Sequence, residues 1–183
     1  MEQVLENLKK SLIDKKSFVA NTELISAIED SVVLQDFVQK GGVTIIEEGV
    51  KKHPRDPEVQ ACALCLLSKL LLQVPKSIGR AERRLAVLAT LRGIKECQED
   101  LAFQTKGFEF LCGVAKVLNN DSWEEIGLHV GAIAGAMSRY IEDKPLQRAG
   151  VQLFSLLYLN THGDKVDPEG EGIRASVNAM NAF

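Results

Sequence analysis

An all-helical chain assembled from internal repeats is the fold class this sequence predicts, on three observations. Leu, Ala, Glu and Lys are common, prolines number only five, and β-branched residues rarely alternate with polar ones, a composition that favours helix over strand. The pattern Asp-x-x-apolar-Gln occurs three times, as DPEVQ (56–60), DLAFQ (100–104) and DKPLQ (143–147), with its glutamines 44 and 43 residues apart. The residues after each glutamine also agree. Three positions on is a small residue (Ala63, Gly107, Gly150). Apolar residues stand at four (Leu64, Phe108, Val151), at six and seven (Leu66-Leu67, Phe110-Leu111, Leu153-Phe154) and at ten (Leu70, Val114, Leu157). Those offsets draw one buried stripe along a helix.

Each element arises from local chemistry. Residues 2–14 form one amphipathic helix with Val4, Leu5, Leu8 and Leu12 inward. A loop over 14–22 leads to two short helices within 23–39. A helix over 41–53, opened by Gly41-Gly42, turns Val43, Ile46 and Val50 to one face. Asp56 then N-caps the next helix by accepting a bond from an otherwise orphaned N–H, with Pro57 at the first helical position, where its missing N–H costs nothing. After a loop at 74–81 comes a helix over 82–97, and Asp100 caps its successor. A short loop at 119–121 precedes a single helix over 123–141, and Asp143 caps the third repeat of the motif. The stretch THGDKVDPEG (161–170) is the most loop-like in the chain. It leads, at Gly170/Gly172, into a last helix with Ile173, Val177, Met180 and Phe183 as its apolar stripe. The small residue after each glutamine allows a neighbouring helix to approach closely.

Composition and motif content narrow the function classes. The chain has 183 residues, 45% hydrophobic, and a net charge of −3, the make-up of an ordinary soluble globular protein. The start, MEQVLENLKK, lacks the basic and apolar regions of a secretory signal. The most apolar run, ACALCLLSKLLLQV, is interrupted by Ser68 and Lys69 and is too short to span a bilayer. Four cysteines without a signal point to free thiols in a reducing compartment, the cytoplasm or the nucleus. Cys62 and Cys65 form a C-x-x-C, but a zinc site needs four ligands and no second pair exists. A redox pair needs a strand-to-helix setting that an all-helical chain does not supply. They read as packing or surface thiols, and Cys97 and Cys112 as buried ones. His53, His129 and His162 accompany no nucleophile. Glu47-Glu48 and Glu124-Glu125 read as solvated. No phosphate-binding glycine motif is present. No cofactor, no metal and no catalytic residue are expected.

One charge feature stands out. Residues 76–95 carry Lys76, Arg80, Arg83, Arg84, Arg92 and Lys95 against Glu82 alone, so +6 and −1 give +5, and the rest of the −3 chain carries −8. That is a solvated helix face or a docking patch for an acidic or phosphate-bearing partner. Nucleic acid fits poorly, because the chain is acidic and no aromatic residues interleave the run.

Stacked helical units of this length describe armadillo and HEAT repeats. The segment GGVTIIEEGVKKHPRDPEVQACALCLLSKL (41–70), with its Gly-Gly, apolar helix, His-Pro-x-Asp turn and VQ trailed by leucines, resembles the armadillo pattern. LQRAGVQLFSLLYL and GEGIRASVNAMNAF are similar to degenerate armadillo repeats. The resemblance covers roughly 18–183 and implies a right-handed α-solenoid, one domain over 1–183. Residues 1–16 would be an N-terminal capping helix, and the repeats would run 17–55, 56–99, 100–142 and 143–183. The middle two lack an obvious short helix and read as HEAT-like pairs. The resemblance also implies that the helix before each motif lines an inner surface. Alignment on the glutamines sets Glu48, Arg92, Gly135 and Asn178 at one exposed position there. One turn on are Lys51, Lys95, Ser138 and Asn181. With Arg83, Arg84 and Arg174, these polar residues are the expected partner contacts. The small run GAIAGAMS (131–138) is either a tight packing surface or a groove floor. The Trp and Asn array of nuclear-localisation-signal receptors is missing. The expected function is a non-catalytic scaffold that binds a protein or an acidic peptide. The alternative is a regulator of a partner enzyme, chaperone-like or nucleotide-exchange-like. The sequence is silent on oligomeric state.

Overall fold

The computed structural model describes residues 1–114, 120–161, 167 and 169–182, with the helix but not the side chains given for 120–122. Among the described residues there are helices and no strands. They are α1 (Glu2–Lys10), α2 (Lys15–Ser26), α3 (Ser31–Gln39), α4 (Gly42–Lys52), α5 (Pro57–Gln73), α6 (Arg80–Glu96), α7 (Leu101–Val114), α8 (Asn120–Gly127), α9 (Val130–Arg139), α10 (Lys144–Asn160) and α11 (Glu171–Asn181). None is long and apolar enough to cross a membrane. The chain forms two compact units, Met1–Ala89 and Thr90–Phe183, divided within α6.

In the first unit α2 packs along α5, and α1, α3 and α4 pack against these two and each other. Lys15 at the start of α2 reaches Asp56 (2.7 Å) and Glu58 (2.9 Å) at the start of α5. Lys69 near the end of α5 donates to the carbonyl of Ser26 (2.7 Å) at the end of α2. The two helices therefore run in the same direction. Leu8, Phe18, Ile25, Phe37, Ile46, Leu66 and Leu70 form the core, and the stripe expected on α5 is wholly buried. In the second unit α7 packs along α10, α9 along α11, and α10 also meets α8, α9 and α11. Phe103, Phe108, Leu111, Met137, Leu153, Phe154 and Leu157 are buried there.

One fastening recurs three times. Gln60 Nε2 donates to the carbonyls of Val50 (3.1 Å) and His53 (2.9 Å). Gln104 Nε2 donates to Ile94 and Cys97 (both 2.9 Å). Gln147 Nε2 donates to Met137 (2.7 Å) and Tyr140 (2.8 Å). The acceptors are always ten and seven residues before the glutamine. They lie at the C-terminal end of the preceding helix, where carbonyls have no intrahelical partner. Each motif aspartate caps as expected. Asp56 accepts from the N–H of Glu58 (3.1 Å) and Val59 (3.2 Å), Asp100 from Phe103 (2.8 Å) and Asp143 from Leu146 (2.8 Å). The small residues are needed. A Cβ on Gly107 would lie 3.2 Å from Ile94 and one on Gly150 2.4 Å from the sulfur of Met137.

Several expectations are corrected. Residues 15–22 are not a loop but the start of α2, capped by Asp14, which accepts from Ser17 N (2.9 Å). Asp14 stands 42 residues before Asp56. Its N–H donates to the carbonyl of Ser11 (3.1 Å), as Asp56 donates to His53 (3.2 Å) and Asp143 to Tyr140 (3.0 Å). The pair α1/α2 thus repeats the pattern, with Phe18 in the glutamine's place. The expected single helix over 123–141 breaks at Leu128-His129 into α8 and α9, with His129 Nδ1 2.9 Å from the carbonyl of Glu125. Residue 120 is already helical. Glu47 is not solvated but buried, its carboxylate 2.5 Å from Lys51 Nζ. The stripe of α11 is reversed: Ile173, Val177 and Met180 are exposed, and Gly172, Ala175 and Ala179 are buried. Phe183 and His162 lie outside the described residues.

Candidate functional site

The helix α11 is held at its start by a buried carboxylate. Asp167 accepts from the N–H of Glu171 (2.8 Å) and Gly172 (3.0 Å) and from the hydroxyl of Tyr158 on α10. Burial and the adjacent Asp167 carboxylate both push the Tyr158 hydroxyl's pKa well up. The chain enters α11 through Gly170 at φ +65°, a backbone region that a side chain strains. Gly172 lets α11 approach α10, because a Cβ there would lie 2.7 Å from the ring of Phe154. No motif in the sequence marks Asp167 or Tyr158. The one signal is an aspartate shortly before the Gly-x-Gly that opens the helix.

Held in this way, α11 faces α9 across a cleft of about 340 Å³ lined by Ser138, Ile141, Ala175, Asn178, Asn181 and Ala182. Ser138, Asn178 and Asn181 are exposed. Neither asparagine has a side-chain hydrogen-bond partner among the described residues. On α9, Gly135 is exposed, and a Cβ built on it meets nothing within 4 Å. That part of the small run is open helix surface, whereas Ala134 and Ala136 are packed. The lining holds hydroxyl, amide and methyl groups, and no charge. An amide side chain offers one acceptor and two donors, which match the donor and acceptor of a peptide unit.

Three of the expected contact residues therefore meet in one cleft, and the others do not join them. Arg174 is exposed on α11, with its guanidinium donating back to the carbonyl of Glu169 (2.5 Å). Glu48 and Lys51 are exposed on α4 in the first unit. Lys51 is engaged by Glu47. Arg83 and Arg84 belong to the first unit and Arg92 and Lys95 to the second. Arg83 is half-buried and donates to the carbonyl of Pro75 (3.1 Å), Arg92 is half-buried, and Arg84 and Lys95 are exposed.

The four thiols form no disulfide and differ in exposure. Cys62 is half-buried, its Sγ 3.6 Å from the carbonyl of Val19, and burial raises its pKa to about 11. Cys65 is exposed and Cys97 is buried. Cys112 is half-buried rather than fully so, and burial again raises its pKa to about 11. Among the described residues no three His, Cys, Asp or Glu side chains gather as a metal site would require. No family model, no curated protein and no solved structure matches the chain.

Proposed function

We propose that this chain is an armadillo-like repeat protein, a non-catalytic scaffold whose α9–α11 cleft binds an extended peptide segment of a protein partner. The carrying observation is that Asn178 and Asn181, their amides unpaired among the described residues, line one uncharged cleft with Ser138. An extended peptide presents backbone N–H and C=O groups that such amides can pair, and Gly135, one turn before Ser138 on α9, is open helix surface. The threefold glutamine fastening supports the repeat reading. The basic run of α6 supports an acidic partner, through attraction that falls with salt.

A peptide array tests this. Wild type is expected to select extended sequences, and an Asn178→Ala/Asn181→Ala double variant to bind them roughly tenfold more weakly, with an unchanged thermal melt. An Arg92→Glu/Lys95→Glu variant is expected to lose the preference for acidic sequences. Equal binding by wild type and the asparagine variant would remove the cleft from the proposal.

A further inference from the structure

The repeat register exposes a second surface, unrelated to the cleft. Counting back from each motif glutamine, the positions at −17, −14, −13 and −10 on the preceding helix are buried every time. They are Val43, Ile46, Glu47 and Val50 on α4. On α6 they are Val87, Thr90, Leu91 and Ile94, and on α9 they are Val130, Ile133, Ala134 and Met137. In each case the helix bearing the glutamine lies over the −10 position. Gln60 binds the carbonyl of Val50; Gln104 and Gly107 sit on Ile94; Gln147 and Gly150 sit on Met137. The corresponding positions on α11, one 43-residue period after α9, are Ile173, Ser176, Val177 and Met180. Here Ile173 is 55%, Val177 44% and Met180 63% exposed.

We infer that this face of α11 is a docking site for one amphipathic helix of the α10 kind, supplied by a partner. Three observations choose that occupant. The spacing 173, 177, 180 draws one exposed apolar stripe along α11, the form of surface against which a second amphipathic helix packs. The face continues the α9–α10 interface by one period, with Met180 in the place of Met137, on which Gln147 and Gly150 of α10 sit. Three side chains expose far less than the roughly 800 Å² per partner that a stable dimer buries, which disfavours a second copy. The incoming helix carries a glutamine in its second turn, aimed at the carbonyl of Met180 as Gln147 is aimed at that of Met137.

A helix-stapled peptide of residues 143–160, fluorescently labelled, is titrated into the full chain and followed by anisotropy. Saturable binding is expected to weaken about tenfold or more for the full-chain variants Val177→Glu and Met180→Lys, whose side chains are exposed and whose melts stay unchanged. A peptide with Gln147→Ala is expected to bind several-fold more weakly. The Asn178→Ala/Asn181→Ala variant is expected to bind the peptide as wild type does, which separates this face from the cleft. Absence of binding, or equal binding by both charged variants, overturns the inference. So does a wild-type dimer in sedimentation that Val177→Glu dissolves, because the occupant would then be a second copy.

Discussion

The turns that open α2 and α10 share one backbone and use different fasteners. At Asp143 the fastener is polar: Gln147 lies buried between helices and its single Nε2 satisfies two terminal carbonyls of α9. At Asp14 the same position holds Phe18, fully buried, with its ring where a Cβ on Gly49 would fall (2.2 Å). The carbonyl ten residues back, Leu8 O, accepts from the buried hydroxyl of Ser11 (2.7 Å) and, at longer range, from its N–H (3.2 Å). One glutamine does two jobs in α10, filling volume and pairing carbonyls. In α1/α2 those jobs are divided between Phe18 and Ser11. The turn geometry therefore does not depend on glutamine. It depends on an aspartate cap, a filled gap and paired helix-end carbonyls.

Removing the filler is expected to have the largest effect. Phe18→Ala takes a fully buried ring out of a close-packed gap beside Gly49, a change that costs about 4 kcal/mol, read as a fall in the thermal and urea midpoints. The polar fasteners rank next. Gln147→Met keeps most of the volume but unpairs the carbonyl of Met137, whereas that of Tyr140 keeps the N–H of Asp143 (3.0 Å). Its expected cost is about 2 kcal/mol, the penalty of leaving one buried carbonyl unpaired. Ser11→Ala leaves Leu8 O with only the longer bond from the Ser11 N–H (3.2 Å) and is expected to cost about 1 kcal/mol. If Gln147→Met costs less than Ser11→Ala, volume alone holds the turn and the division of labour is wrong.

The same contrast explains why some turns are legible in the sequence and others are not. The α5, α7 and α10 repeats are readable because cap, glutamine, small residue and leucines recur at fixed offsets. The α1/α2 pair is not, because Phe18 erases the residue on which the alignment turns and Ser11 replaces it from another position. The break between α8 and α9 is marked only by Gly127, and an isolated glycine inside a helical pattern is often tolerated without a break. Glu47 misleads because a carboxylate beside another reads as solvated, whereas its position in the register is an interior one. The stripe of α11 is correct as a pattern and wrong in direction. Periodicity shows that Ile173, Val177 and Met180 share a face, but which face is covered is set by packing. Of the site, Ser138, Asn178 and Asn181 are reachable by register, whereas Asp167 and Tyr158 act through a fold-dependent contact that no spacing encodes.

The smallest expected effect concerns the caps themselves and separates Asp56 from mere capping. Burial raises the pKa of Asp56, but the Lys15 ammonium and the N–H groups of Val59 and Glu58 outweigh it, so its carboxyl titrates below the ordinary aspartate range. A depressed folded-state value means that the carboxylate stabilises the protein above the unfolded value of about 3.9, and that this is lost as pH falls through the lower folded value. Asp56→Asn keeps an oxygen for the cap but removes the charge that Lys15 reaches. It is expected to lower stability by less than about 1 kcal/mol at pH 7, since the pair is partly exposed and screened. The gap between wild type and variant should close below about pH 4. A gap that does not narrow as pH falls below about 4 would assign the effect to the amide's poorer cap, and the Lys15 contact between α2 and α5 would then contribute nothing measurable.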